Sequence, residues 1–137
     1  MTTKRLSGGC QCGAVRYAAD VSLETAHLCH CRMCQKAYGG FFGPLVTGFD
    51  VKWTRGEPAW FQSSNKVKRG FCSRCGTPLA YDYGAEESIE LSIGAFDNPE
   101  AAAPVLQVNA RDKLSFFDNL MNLPTRQPGE SLNADMF

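Results

Sequence analysis

Three thiols fall within the six residues Cys29-His30-Cys31-Arg32-Met33-Cys34, and four more come as two tight pairs, Cys10-Gln11-Cys12 and Cys72-Ser73-Arg74-Cys75. This grouping constrains the fold more than any other feature, because thiols so spaced converge only if the backbone around them turns in particular ways. On an extended approach, Cys29 and Cys31 point to the same side. If the chain turns helical at Cys31, the i,i+3 spacing brings Cys34 onto the face of Cys31. Three protein ligands with a fourth position open is the arrangement of a reactive zinc site. A helix beginning near Cys31 also directs its N-terminal dipole at the sulfurs and favours their thiolate forms.

Two blander readings compete. A lone cysteine is often a small buried hydrophobe, but three at this spacing beside two further pairs argue against accidental burial. Cys31 and Cys34 also form a Cys-x-x-Cys, as in thioredoxin-like redox proteins, yet the strand-helix-strand setting of those proteins is not evident. Seven cysteines is an odd count. No apolar run follows the basic opening Met1 to Ser7, so no signal peptide is read. Metal ligation in a reducing cytoplasm therefore fits better than a disulfide framework.

With 137 residues the chain suits one zinc-binding domain spanning 1–137, small enough for metal staples to matter. Lys and Arg total 14 and Asp and Glu total 14. That balance argues against general affinity for nucleic acid or an anionic membrane surface. No apolar stretch approaches a membrane span.

Gly8-Gly9-Cys10-Gln11-Cys12-Gly13 reads as a glycine-rich knuckle, and 14–18 as a strand. Residues 35–38 continue the helix that Gly39-Gly40 stops. Residues 41–46 read as a strand interrupted by Gly43-Pro44, suited to an edge or bulge. Short strands at 51–54, 59–62, 67–71, 79–83, 88–93 and 105–108 follow, separated by turn residues, which predicts a mainly antiparallel β domain. Ile89, Leu91 and Ile93 share one face. Asp97 to Ala103 reads as a turn or brief helix ended by Pro104. Phe116 and Phe117 read as packed aromatics, and 124–137 as a polar C-terminal tail. Lys66, Lys68 and Arg69 can meet an anion, although solvated strand-edge charge is the more ordinary reading.

Cys72-x-x-Cys75-Gly76 turns two sulfurs toward one metal while glycine relieves strain after the second ligand. Cys10, Cys12, Cys72 and Cys75 together suit a closed four-thiolate structural site. Cys29, Cys31 and Cys34 remain as an incomplete set with room for water or a substrate sulfur, where an incoming thiol is pushed toward thiolate. His30 is the alternative fourth ligand or proton acceptor, but between Cys29 and Cys31 on extended backbone it points away from them.

Cys10-x-Cys12-Gly13, Cys29-His30-Cys31-x-x-Cys34 and Phe71-Cys72-x-x-Cys75-Gly76-Thr77-Pro78-Leu79, in this order, resemble the glutathione-dependent formaldehyde-activating enzyme family, also named for centromere protein V. The resemblance runs from about Gly8 to Pro124. It implies an Mss4-like β-tent of antiparallel sheets stapled by zinc, with a structural zinc on Cys10, Cys12, Cys72 and Cys75. It places a labile or catalytic zinc on Cys29, Cys31 and Cys34. The implied activity is that of a carbon-sulfur lyase of the S-(hydroxymethyl)glutathione synthase kind, adding glutathione thiolate to formaldehyde. Two positions depart from the pattern: many members carry a tryptophan where this chain has Ser115-Phe116-Phe117, and often a histidine near Val108-Asn109.

The implied partner is a small thiol, glutathione, whose net negative charge calls for a basic residue; Arg32 and Lys36 are nearest in sequence. A non-catalytic zinc module binding protein or nucleic acid is the competing function, and neutral charge weighs against its nucleic-acid form. A methionine sulfoxide reductase is a third, but that chemistry wants a redox cysteine beyond the zinc pairs and none follows Cys75.

Overall fold

The computed structural model describes residues 2–127. Nine strands and one α-helix follow in order: β1 (Thr3–Gly9), β2 (Arg16–Ser22), β3 (His27–Cys29), α1 (Arg32–Tyr38), β4 (Gly43–Arg55), β5 (Ala59–Gln62), β6 (Lys68–Phe71), β7 (Pro78–Asp82), β8 (Ser88–Ser92) and β9 (Leu106–Val108). Short 3-10 turns fill several connections. The strands form one sheet in the order β1-β2-β4-β8-β7-β6-β5, with β3 joined to β4 and β9. Every pairing is antiparallel except that of β3 with β9, which is parallel. The mainly β, antiparallel architecture expected from the turn spacing is thus present, and it agrees with a β-tent. No helix among the described residues is long and apolar enough to cross a membrane.

Alternation along the strands divides the sheet into two faces. On one face Tyr17, Ala19, Val21, Val46, Ala80 and Leu91 are buried together. Tyr17 meets Trp53 and Phe96 edge-on, with ring centroids 5.5 and 6.1 Å apart. Full burial of a side chain such as Leu91 contributes roughly 1.5–3 kcal/mol, so this face supplies the main core. The opposite face carries a smaller cluster of Cys29, Cys34 and Leu45, against which Tyr38, Tyr81 and Val108 pack. Helix α1 covers this second face, and its Tyr38 hydroxyl shares a 2.9 Å hydrogen bond with Ser92 of β8.

Two sequence expectations change. The stretches 41–46 and 51–54 belong to one strand, the 13-residue β4. Pro44 lies near its start, opposite Leu28, where the missing N–H is tolerated. The irregularity sits further on: Asp50 has φ +48° and the β2–β4 register shifts between Ala18 and Asp20, as at a bulge. The second change is β1, which was not anticipated. Its only large apolar side chain is Leu6, and pairing with β2 makes the strand. Of the expected tail, 124–127 is exposed and irregular, while 128–137 lies outside the described residues.

Candidate active site

Two groups of thiols assemble. Cys10, Cys12, Cys72 and Cys75 bring their sulfurs within 4.8 Å of one another, and so do Cys29, Cys31 and Cys34. In the first group, Cys10 and Cys12 Sγ are 3.6 Å apart, and Cys12 and Cys72 Sγ are 3.8 Å apart. A tetrahedron with zinc-sulfur arms of 2.3 Å has an edge of about 3.8 Å, so this spacing fits the metal.

The two turns presenting these sulfurs are built alike. Gly13 and Gly76, each following the second cysteine of its pair, have φ of +82° and +80°, which only glycine adopts cheaply. Their N–H groups donate to the carbonyls of Cys10 and Cys72 at 3.1 and 2.8 Å. Backbone N–H groups also donate to sulfur: Val15 to Cys10 at 3.2 Å and Arg74 to Cys72 at 3.3 Å. The Thr77 hydroxyl, 3.2 Å from Cys75 Sγ, donates to that sulfur and with the Thr77 N–H draws its pKa down to about 5. At Cys12 the Ala14 N–H favours ionisation, yet burial and the neighbouring thiols Cys10, Cys75 and Cys72 push the pKa up to about 11. Four such sulfurs cannot all ionise unaided; a dication lets them.

The second group is placed by the end of β3 and the start of α1. Cys31 is the N-cap of α1 with extended backbone, φ −61° and ψ 152°, and its Sγ accepts the Cys34 N–H at 3.3 Å. Gly39 ends the helix in the left-handed conformation. Gly43 makes room for Cys34, since a Cβ at that position would stand 2.9 Å from the Cys34 Cβ. Burial pushes the Cys34 thiol up to about 12 although Arg69 opposes it, the two Nη atoms lying 3.6 and 3.7 Å from the sulfur. At Cys29, burial is outweighed by the Cys31 N–H and the Asn109 side chain, so its pKa falls; the Asn109 amide donates to Cys29 Sγ at 3.2 Å.

These three thiols open on a cleft of about 320 Å³ that also exposes His27, Leu45, Tyr81, Tyr83, Glu90, Val108 and Asn109. Strand register explains the company. Phe61, Arg69, Tyr81, Glu90 and Thr47 are successive cross-strand partners from β5 to β4, so they form one transverse row on the face under α1. Arg69 stacks on the Tyr81 ring at 4.8 Å. His27 donates through Nδ1 to the Thr25 carbonyl at 2.7 Å.

Each candidate thiol therefore lies in one of the two groups. His30 joins neither: it is fully buried, with Nε2 donating to Gln107 Oε1 at 2.7 Å. Its ring meets Phe117 edge-on at 4.7 Å. Arg32 bonds Gln35, and Lys36 is exposed beside the groove lined by Met33, Phe61 and Arg69. Arg69, Asn109, Glu90 and Tyr81 were not anticipated at the site. Two of them carried a signal: Asn109 as a departure from the family pattern, and Arg69 as part of the basic cluster at 66–69. The solvated reading of that cluster holds for the exposed Lys66 and for Lys68, 45% exposed over Trp60, but not for Arg69, which turns to the opposite face and Cys34.

A family profile described as glutathione-dependent formaldehyde-activating enzyme matches residues 5–112, a span containing both thiol groups. Among solved structures, the crystal structure of a Rhodobacter sphaeroides protein is similar in fold, with a TM-score of 0.62 and 22% identity, covering 75% of this chain and 100% of that one.

Proposed function

Because the chain belongs to the glutathione-dependent formaldehyde-activating enzyme family, we propose that it is a zinc-dependent carbon-sulfur lyase that adds the glutathione thiol to formaldehyde, giving S-hydroxymethylglutathione. The observation that carries this reading is the incomplete group, Cys29, Cys31 and Cys34, facing a cleft large enough for a small carbonyl compound. The four-thiol group is the structural zinc site of this reading, and the three-thiol group the reactive one. Zinc held by Cys29, Cys31 and Cys34 supplies a Lewis acid that favours the thiolate of an incoming thiol.

The chain's own residues do the rest. Asn109 and Arg69 hold Cys29 and Cys34 by hydrogen bonds to sulfur, fixing the geometry of the triad. Arg69 also lines a groove of about 310 Å³ between α1 and strands β5 and β6, where it offers a cation to the carboxylates of glutathione. Lys36 is the second cation, in the neighbouring groove of about 370 Å³ that it lines with Met33, Phe61 and Arg69; Arg32, tied to Gln35, is not used. Orienting the thiol beside the aldehyde converts a bimolecular encounter into an intramolecular one.

Exchange NMR on glutathione and formaldehyde at equilibrium tests the reaction. Zinc-loaded protein is expected to speed the interconversion of free thiol and hydroxymethyl adduct. An exchange rate equal to that without protein would sink the assignment. The Gly43→Ala variant gives a second test. Its added methyl displaces Cys34 by overpacking, a change that costs typically about 1–3 kcal/mol, so the three-thiol zinc should be lost at lower chelator concentration while the other zinc is retained. Equal chelator sensitivity in variant and parent would show that Gly43 does not set the position of Cys34.

A further inference from the structure

Glu90 is the carboxyl group in the cleft that the reaction above leaves without a role. It sits in the middle of β8, is 8% exposed, and shares the cleft with Cys29, Cys31 and Cys34. Its Oε1 accepts the Thr47 hydroxyl at 2.9 Å. Its Oε2 is buried and has no hydrogen-bond partner among the described residues. Buried polar atoms are normally paired, and leaving one unpaired costs its full desolvation. An apolar side chain would fill this position in β8 without that cost, so a carboxyl at the cleft wall with the hydrogen-bonding capacity of Oε2 unspent points to a use in the cleft.

The groups facing Glu90 define what that atom is. Thr47 and Leu45 approach from β4, Tyr81 from β7 with Tyr83 beyond it, His27 from β3, and the three thiols from β3 and α1. Tyr38 of α1 is bonded to Ser92, and Arg69, one strand past Tyr81, is turned to Cys34. The nearest basic side chain, His27, has its Nδ1–H committed to a carbonyl. Burial holds the Glu90 carboxyl above its ordinary range, with the Thr47 hydroxyl and His27 pulling the other way. A carboxyl so placed can both give and take a proton, which is what reversible addition to a carbonyl requires of its partner.

We infer that Glu90 exchanges the proton of the substrate's aldehyde-derived oxygen, an inference that rests on the reaction proposed above. In the forward direction the thiolate sulfur bonds to the carbonyl carbon and the C=O π pair moves onto oxygen. The Glu90 carboxyl gives that oxygen its proton and becomes a carboxylate. Solvent, which took the proton of the incoming thiol, restores it. In reverse, the Glu90 carboxylate removes the hydroxyl proton as the carbon-sulfur bond breaks and the electron pair returns to sulfur.

The experiment is exchange NMR with glutathione and formaldehyde on the zinc-loaded full chain, as a function of pH, for the parent, Glu90→Gln and Thr47→Val. The Glu90→Gln chain should keep both zinc ions and lose about 100-fold in kcat with KM changed by less than about 3-fold, the scale of a lost general acid-base group. Its forward rate should also lose the fall that the parent shows as pH rises through the Glu90 pKa. Thr47→Val removes a hydrogen bond that favours the carboxylate, so that fall should move to higher pH. A Glu90→Gln chain that matches the parent in kcat and pH profile overturns the role of Glu90 alone. If Glu90→Gln loses its metal or its fold, the Thr47→Val profile decides, and an unmoved limb overturns the inference. A parent protein that does not speed the exchange overturns the reaction itself.

Discussion

Cys72→Ser is expected to abolish the folded state of this domain at ordinary temperature. Cys72 is 1% exposed, and its sulfur belongs to the group that joins two distant turns: one between β1 and β2, the other between β6 and β7. In the sheet order β1-β2-β4-β8-β7-β6-β5, these turns come from opposite sides of the central strands, so a metal shared between them closes the sheet on itself. Apart from the sulfurs, the turns are joined by the Gln11 N–H, which donates to Thr77 Oγ1 at 3.0 Å, and by the Cys12 N–H, which donates toward Cys75 Sγ. Structural zinc contributes an apparent free energy of about 10–16 kcal/mol in small peptides. A whole domain is stable by about 5–15 kcal/mol, so losing the metal cancels the margin. Metal analysis and circular dichroism read the result: loss of zinc with loss of the cooperative thermal transition. A Cys72→Ser protein that binds two zinc ions and melts within a few degrees of the parent would show that this group is not structural.

The cysteines were legible in the sequence because their geometry is local. Extended backbone through Cys31, a helix from Arg32 to Tyr38 and a stop at Gly39 are each set by residues within a turn or two, and the glycines after Cys12 and Cys75 report their own dihedrals. The short strands from β5 to β9 were legible for the same reason, being bounded by turn residues. What escaped depends on partners far along the chain. Arg69 reaches Cys34 because β6 pairs with β7 and β7 with β8, under a helix that arrives from elsewhere. Asn109 reaches Cys29 only through the parallel pairing of β3 with β9. Ile89, Leu91 and Ile93 were read as sharing one face, and all three pack into the main core, Ile89 partly buried and Ile93 just past the end of β8. Their alternation gave no hint that the other face of β8, with Glu90 and Ser92, is buried as well, because that burial is made by α1 and the thiol cluster. Residues 43–55 looked like two strands since Gly48 and Asp50 resemble a turn, whereas they mark a bulge within one strand paired on both edges.

Cys34→Ser should have the opposite outcome to Cys72→Ser: one zinc lost, catalysis gone, fold kept. With Cys34 replaced, Cys29 and Cys31 remain as two soft ligands and a weakly coordinating hydroxyl, too few to hold the metal. The helix that carries residue 34 does not depend on that metal for its place. The Gln35 side chain donates to the carbonyls of His30 at 2.7 Å and Asp112 at 3.1 Å, Tyr38 is tied to Ser92, and Gly39 caps the helix. The substitution removes one buried sulfur and the acceptor of the two Arg69 Nη atoms, while Arg69 Nε keeps the Ser63 hydroxyl at 3.1 Å, a loss of about 1–3 kcal/mol, in the ordinary range for single changes. Metal analysis should therefore find one zinc per chain where the parent is expected to hold two, and a weak chelator should take the parent to the same state. Circular dichroism should show secondary structure unchanged, with a thermal midpoint lowered by several degrees. Exchange between free glutathione and its hydroxymethyl adduct should fall to the rate without protein. If Cys34→Ser unfolds the chain as thoroughly as Cys72→Ser, both thiol groups are structural, and the division on which the proposed chemistry depends is wrong.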